Sequence, residues 1–248
     1  NRFFVANINE GIFIRNKFKS IIINILNGLN KNEEKVFYKY KLNPVINSVT
    51  QLKKWLKFLK NKKKDRLIIH FDTGMCRLGI QEKDIKEVLK LKTQIDKFKE
   101  VIIMSHLACA GEKKDPFNEI QRKKFEKIKI LLPGYKYSLA ASGGIFLGKK
   151  YHYDLVRPGI NLYGGSKSYN KNLKHVVSLK SPIIQINELK KGQTAGYSRT
   201  FKAKKNMTTA TIPMGYADGI GIRLSNKGFV HFKSKKLPML GRISMDLI

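Results

Sequence analysis

The chain has 248 residues, 42% of them hydrophobic, and sets 50 lysines and arginines against 18 acidic residues for a net charge of +32. That length allows one large domain, or one domain and part of another, and no apolar run approaches the roughly 18 residues that a membrane helix needs. Cys76 and Cys109 have neither metal-ligand nor disulfide spacing, so no metal is expected and a reducing cytoplasm is the default compartment.

The charge does not by itself point to nucleic acid. Of the 50 basic residues 41 are lysine, and they are spread along the whole chain among abundant Asn and Ile, as a biased codon usage would spread them. A dedicated nucleic-acid binder clusters its charge and interleaves aromatic residues. The densest run, KNKKKDR at 60–66, reads as a solvated loop. No specific nucleic-acid partner and no membrane are expected. The chain opens on Asn1 rather than Met and stops inside the apolar stretch ISMDLI, so both ends read as cut.

In chain order, FFVA (3–6), SIIINIL (20–26) and PVIN (44–47) read as strands. Ser48 or Thr50 can then cap a helix whose Leu52, Trp55, Leu56 and Leu59 share one face. RLIIHFD (66–72) is a strand, followed by a helix carrying Ile85, Val88, Leu89 and Leu91. VIIMSHLA (101–108) is another strand, and Ile120, Phe125, Ile128 and Leu131 mark the helix after it, stopped by Pro133-Gly134. YKYSLAAS (135–142) and LVRPGINLYG (155–164) complete seven strands. Strands alternating with helices predict a parallel sheet with helices outside, one strand short of a (β/α)₈ barrel. From about 175 the texture changes to short alternating runs punctuated by Gly and Pro, which predicts an unfinished β-domain. The expected division is a barrel domain over 1–172 and a partial all-β domain over 173–248.

In a parallel barrel the C-terminal ends of the strands face the active site. The polar residues there are Asp72, Thr73 and Arg77 after one strand, His106 after the next, then Ser142, and Arg157 in the last. Each alone is weak evidence, since a lone histidine or serine at such a place is usually structural. In register on successive strands they form a candidate constellation. Arg157 sits in an otherwise apolar strand, so its guanidinium needs an acceptor or an anion. The Gly159 and Ile160 amides lie where the last barrel strands commonly hold a phosphate, within reach of a Ser142 hydroxyl. A phosphorylated cofactor with a ring near Arg157 is expected.

Seven collinear motifs, DTGMCRLG, MSHLACA, SLAASGG, VRPGINLYG, AGYSRTF, IPMGYADG and GRISMD, resemble the alanine racemase family along essentially the whole chain. The resemblance implies a TIM barrel followed by a β-domain, assembled as a homodimer with shared active sites around pyridoxal 5'-phosphate. It implies that Ser142, Gly159 and Ile160 hold the cofactor phosphate, that Arg157 faces the pyridine nitrogen, and that His106 lies beside Arg157. By the same resemblance Tyr197 is a proton-transfer base from the partner subunit, and Arg77 and Met245 meet the substrate. The implied activity is interconversion of L- and D-alanine for peptidoglycan synthesis in the cytoplasm. A serine racemase, or a non-catalytic remnant, are the other readings.

One element of the family's pattern has no counterpart. Its Schiff-base lysine lies at the end of the first barrel strand, and FFVA at 3–6 corresponds to the second. None of the 41 lysines sits at a matching strand end, so these 248 residues are expected to be inactive by themselves.

Overall fold

The apolar runs of the N-terminal half form six parallel strands: β1 (Arg2–Val5), β2 (Ile22–Ile25), β3 (Asn43–Ile46), β4 (Arg66–His70), β5 (Glu100–Met104) and β6 (Lys136–Ser138). They lie in one sheet in chain order, the topology that successive βα units produce. The two-residue period divides each strand between two cores. Ile46, Leu67, Ile69, Val101 and Ile103 pack in the cluster shared with the helices, whereas Val45, Ile68, Ile102 and Met104 form a second cluster on the other face. Burial on both faces is why these strands read as nearly continuous apolar runs. The result is a parallel half-barrel. The computed structural model describes residues 1–165 and 172–248, and the chain divides into two compact units, Asn1–Val177 and Ser178–Ile248, a few residues beyond the expected 172/173.

The helices of the first unit are α1 (Ile8–Lys17), α2 (Glu34–Lys39), α3 (Val49–Phe58), α4 (Ile85–Lys90), α5 (Lys92–Ile95), α6 (Phe117–Leu131) and α7 (Ser142–Ile145). Ser48 caps α3 by accepting from Gln51 N at 3.1 Å, and Leu52, Trp55, Leu56 and Leu59 are buried as their spacing predicts. The single helix expected after β4 is broken instead. A 3₁₀ turn at Glu82–Asp84 leads into α4, and Leu91, at φ −96° and ψ 2°, separates α4 from α5.

Two expectations need correction. In α6 the buried face is Asn118, Gln121, Phe125 and Ile128, whereas Ile120 and Leu131 are exposed. An apolar residue at a helix position says less about its face than the 3.6-residue period does, and here two polar residues point inward. The seventh expected strand, 155–164, forms only one bridge, between Ala141 and Arg157. Pro158 has no N–H to continue a ladder. Gly159 then turns away at φ −125° and ψ −95°, and Ile160–Tyr163 form a 3₁₀ turn.

The second unit holds three antiparallel pairs: β7 (Gln185–Leu189) with β10 (Met207–Thr211), β8 (Thr194–Ala195) with β9 (Phe201–Lys202), and β11 (Phe229–Phe232) with β12 (Lys235–Pro238). Among its described residues the only helical pieces are 3₁₀ turns, in keeping with the expected all-β domain. No helix of the described residues is long and apolar enough to cross a membrane.

Arg15 of α1 shows how the first unit fastens its loops. It is buried and donates to five backbone carbonyls: Phe18 O (3.1 Å), Lys19 O (2.7 Å), Ile21 O (2.8 Å), Tyr40 O (3.0 Å) and Lys41 O (3.1 Å). All its N–H groups are used, so the segments entering β2 and β3 are joined through one side chain. Arg15→Lys keeps the charge but loses the planar fork and leaves carbonyls without donors. Urea unfolding of that variant should show a loss of about 3 kcal/mol, from two or more charge-assisted bonds each worth about 1.5 kcal/mol. A loss below about 0.5 kcal/mol would contradict the assigned role.

Candidate active site

The two-residue period that sorts the core also builds the site. Asn47 follows Val45 by two residues, His70 follows Ile68, and Ser138 pairs with Met104, so all three carry the inward parity of the second cluster at the C-terminal strand ends. All three are buried. Arg157 enters among them after β6, anchored by its own N–H to Ala140 O at 2.9 Å.

The Arg157 guanidinium is buried with four partners and no carboxylate among them. It donates to Ser138 Oγ, to Ser105 O at 2.6 Å and to Leu139 O at 3.3 Å, and its Nη2 lies 3.5 Å from His106 Nδ1. Ser138 Oγ in turn donates to Leu155 O at 2.6 Å, so it is free to act as acceptor toward the arginine. Burial pulls the Arg157 pKa down to about 10, which still leaves it charged at neutral pH. The same cation acts on its neighbours. Burial first, then Arg157 and Arg77, lower the His106 pKa to about 4. Since Arg157 can only donate, His106 Nδ1 is the unprotonated nitrogen.

His70 is held by a second fixed pair. Asn47 donates from Nδ2 to Leu26 O (3.0 Å) and Val45 O (3.1 Å), which leaves Oδ1 as the acceptor 2.8 Å from His70 Nδ1. His70 therefore carries its proton on Nδ1 and presents a bare Nε2. Desolvation, followed by Arg157 and His106, pushes its pKa down to about 3, Asp72 opposing in part. The site thus combines a buried cation with two neutral imidazoles.

The loop after β4 presents Arg77. Asp72 Oδ1 accepts from the amides of Gly74 (2.8 Å), Met75 (2.9 Å) and Cys76 (3.1 Å), which curls the chain. A bridge between Phe71 and Ile80 closes the loop, and Gly79 at φ +117° is needed there because a Cβ would come within 2.6 Å of Asp72 N. Arg77 is exposed at the loop's far side. Thr73, within that turn, is buried, with Oγ1 2.8 Å from Ser105 Oγ.

Ser142 opens α7, and its Oγ accepts from Gly159 N at 2.8 Å while its carbonyl accepts from Asn161 Nδ2 at 2.8 Å. The hydroxyl proton is then left to donate outward. Ile160 N, at the first position of its 3₁₀ turn, has no intrahelical acceptor. Gly143 packs so closely on Ala110 O that a Cβ would come within 2.8 Å. These donors suit a phosphate, and the buried guanidinium suits a neutral ring nitrogen, so the residues present fit a phosphorylated pyridine cofactor.

Unit one therefore brings His106 to Arg157 and Ser142 to Gly159 and Ile160. Tyr197 and Met245 belong to the second unit, where both are exposed. Tyr197 starts a 3₁₀ turn after Gly196, at φ +76°, and Met245 O accepts from Ala217 N at 3.0 Å. Asn47, His70, Ser105, Ser138 and Gln121 are the members that reading the sequence missed. Strand parity could have found Asn47, His70 and Ser138. A cavity of about 390 Å³ opens at the opposite ends of the strands, lined by Lys19, Phe37, Trp55 and Arg66 among others, and it includes none of these residues.

Residues 1–167 match the family described as alanine racemase, N-terminal domain, and residues 176–248 match alanine racemase, C-terminal domain. The chain is 41% identical over 254 residues to the alanine racemase of Rickettsia bellii (strain RML369-C), which spans 99% of this chain and 61% of that protein. It is 40% identical over 250 residues to that of Rickettsia rickettsii (strain Sheila Smith), spanning 99% and 69%. Among solved structures, alanine racemase from Bartonella henselae with covalently bound pyridoxal phosphate aligns with a TM-score of 0.88 and 37% identity, over 100% of this chain and 70% of that one. Biosynthetic alanine racemase from Pseudomonas aeruginosa aligns with a TM-score of 0.86 and 28% identity, over 99% and 70%.

The two histidines give the first unit an acid-sensitive stability. Unfolded, each binds a proton at its ordinary pKa of 6.5, and folded only at about 3 (His70) or about 4 (His106). Their contribution is complete above pH 6.5 and is lost as pH falls through 6.5 toward about 4 for His106 and about 3 for His70, at up to about 1.4 kcal/mol per pH unit for each. Urea midpoints measured from pH 7 to pH 4.5 should fall steeply, and His70→Gln should flatten that slope. Equal slopes in the two proteins would contradict a neutral His70.

Proposed function

The chain belongs to the alanine racemase family, and on that premise we propose that the protein interconverts L- and D-alanine with pyridoxal 5'-phosphate. The product would serve peptidoglycan synthesis, in a cytoplasmic homodimer whose active sites draw on both subunits. The observation that carries the reading is Arg157, a buried guanidinium satisfied by neutral acceptors alone, beside a Ser142–Gly159 pair suited to a phosphate.

When bound, pyridoxal phosphate withdraws electrons from the alanine Cα and lowers the cost of losing its proton. Ser142 Oγ and the amides of Gly159 and Ile160 would hold the phosphate. Arg157 would face the pyridine nitrogen. A guanidinium that stays charged keeps that nitrogen unprotonated, which moderates the electron withdrawal and suppresses transamination. His106, with Nδ1 turned to Arg157, would keep Nε2–H toward the cofactor side.

Arg77 would bind the substrate carboxylate. A planar donor that is always charged suits two oxygens better than lysine, whose amine would compete for the aldehyde. Tyr197, from the partner subunit, would exchange a proton with Cα on one face, and Met245 would contact the substrate methyl. Alanine against serine is decided by running both in the same assay.

Among the described residues, none of the six strands has a lysine at its C-terminal end. The 248 residues alone should therefore racemise alanine no faster than free cofactor, as followed by circular dichroism of the amino acid. A chain carrying the family's lysine motif ahead of Asn1, and the remaining length of the relatives after Ile248, should be active. In that protein Tyr197→Phe should lower kcat at least about 100-fold. Full activity of the Tyr197→Phe protein, or racemisation by the 248 residues, would overturn the reading.

A further inference from the structure

We propose that Gln121 is a positioning residue that sets the loop bearing Arg77 against the loop bearing His106. Gln121 belongs to α6, outside the sheet, yet it is fully buried. Its carboxamide makes three hydrogen bonds, and they go to two different loops. Oε1 accepts from Ala108 N at 2.8 Å, and Nε2 donates to His106 O at 3.1 Å and to Thr73 Oγ1 at 3.2 Å. The orientation of the amide is forced, because Ala108 N–H can only donate and His106 O can only accept.

The two loops have other reasons to keep that spacing through Gln121. Thr73 Oγ1 also meets Ser105 Oγ at 2.8 Å, and Ser105 O receives Arg157 Nη2 at 2.6 Å. Gln121 is therefore joined to Arg157 through Thr73 and Ser105, and to His106 through that residue's own carbonyl. On the Arg77 side, Gly74 lies against α6 so closely that a Cβ would come within 2.8 Å of Phe117 Cζ and 3.7 Å of Gln121 Cγ. The loop that Asp72 curls, and that ends in Arg77, rests on the same helix. One amide thus fixes the relative place of a permanent cation and a neutral imidazole whose chemistry depends on their separation. Neither group is touched by Gln121 through its side chain, so it acts only by placement.

The placement stands on these contacts alone, and its effect on substrate rests on the racemase reading above. The first arm of the test uses the 248-residue chain and needs no cofactor. Arg77, Arg157 and His70 are the charged or titratable groups that face His106. Replacing Arg77 by Gln should raise the His106 midpoint, followed by imidazole NMR, by about half a pH unit. In Gln121→Met, which keeps the shape and removes all three bonds, the same Arg77→Gln change should shift His106 by less than half as much. Phe37→Leu, a distant core change, should leave the shift as it is. Should Gln121→Met fail to fold, Thr73→Val removes the hydroxyl that meets both Gln121 and Ser105, at nearly constant volume, and should also reduce the shift. An Arg77-dependent shift that is undiminished in the folded variant overturns the proposal. The second arm uses the complete enzyme, where Gln121→Met should raise KM for alanine about tenfold with cofactor absorbance retained. Failure of that arm alone, with the NMR coupling lost as expected, counts against the substrate role of Arg77 rather than against Gln121.

Discussion

The structure depends on a cation kept inside the protein without a counter-ion. An isolated charge in an apolar interior is very costly, and Arg157 is tolerated because oxygen acceptors surround it. Those acceptors come from three places. Ser138 ends β6, Ser105 follows β5, and Leu139 belongs to the turn after β6. The strands must be in register for the acceptors to converge, so the parallel sheet and the charged centre require one another.

Neutral acceptors leave the positive charge uncancelled, and that has consequences around it. A carboxylate partner would have neutralised Arg157 and removed its share of the pressure against protonating the neighbouring histidines. Instead burial, reinforced by the arginine, keeps His70 and His106 uncharged. Asn47 gives His70 a defined tautomer, and Arg157 gives His106 one. The site offers an anion or an electron-rich ring one strong positive centre, with neutral groups whose protons are fixed in place. Near neutral pH neither histidine at this centre carries a titrating proton.

The net charge of +32 belongs to a different layer of the molecule. Lysines pair at the surface, as Lys90 and Lys53 do with Glu87, and such exposed pairs contribute little. The buried arginines, Arg15 and Arg157, satisfy backbone carbonyls that a single ammonium could not span. In a chain with nine arginines and 41 lysines, the use of arginine inside follows from its five donors in a plane.

Much of this was open to reading from the sequence alone. The six strands, the capped α3, the change to an all-β texture and the strand-end residues Arg77, His106, Ser142 and Arg157 follow from periodicity, capping and polar residues after apolar runs. The motifs carried the family. These are local properties, and a strand of four or five residues buried on both faces leaves its mark within its own span. What tertiary structure alone decided involves partners far apart in sequence. Pro158 and Gly159 reduce the expected seventh strand to a single bridge, because a strand exists only where a neighbour can complete its ladder. Gln121 turns inward although Ile120 beside it is the apolar residue, because two loops some 15 and 48 residues away present the carbonyl and hydroxyl it can bond. Whether a buried polar side chain is stable depends on groups that only the fold brings within hydrogen-bond distance, and no local pattern contains them.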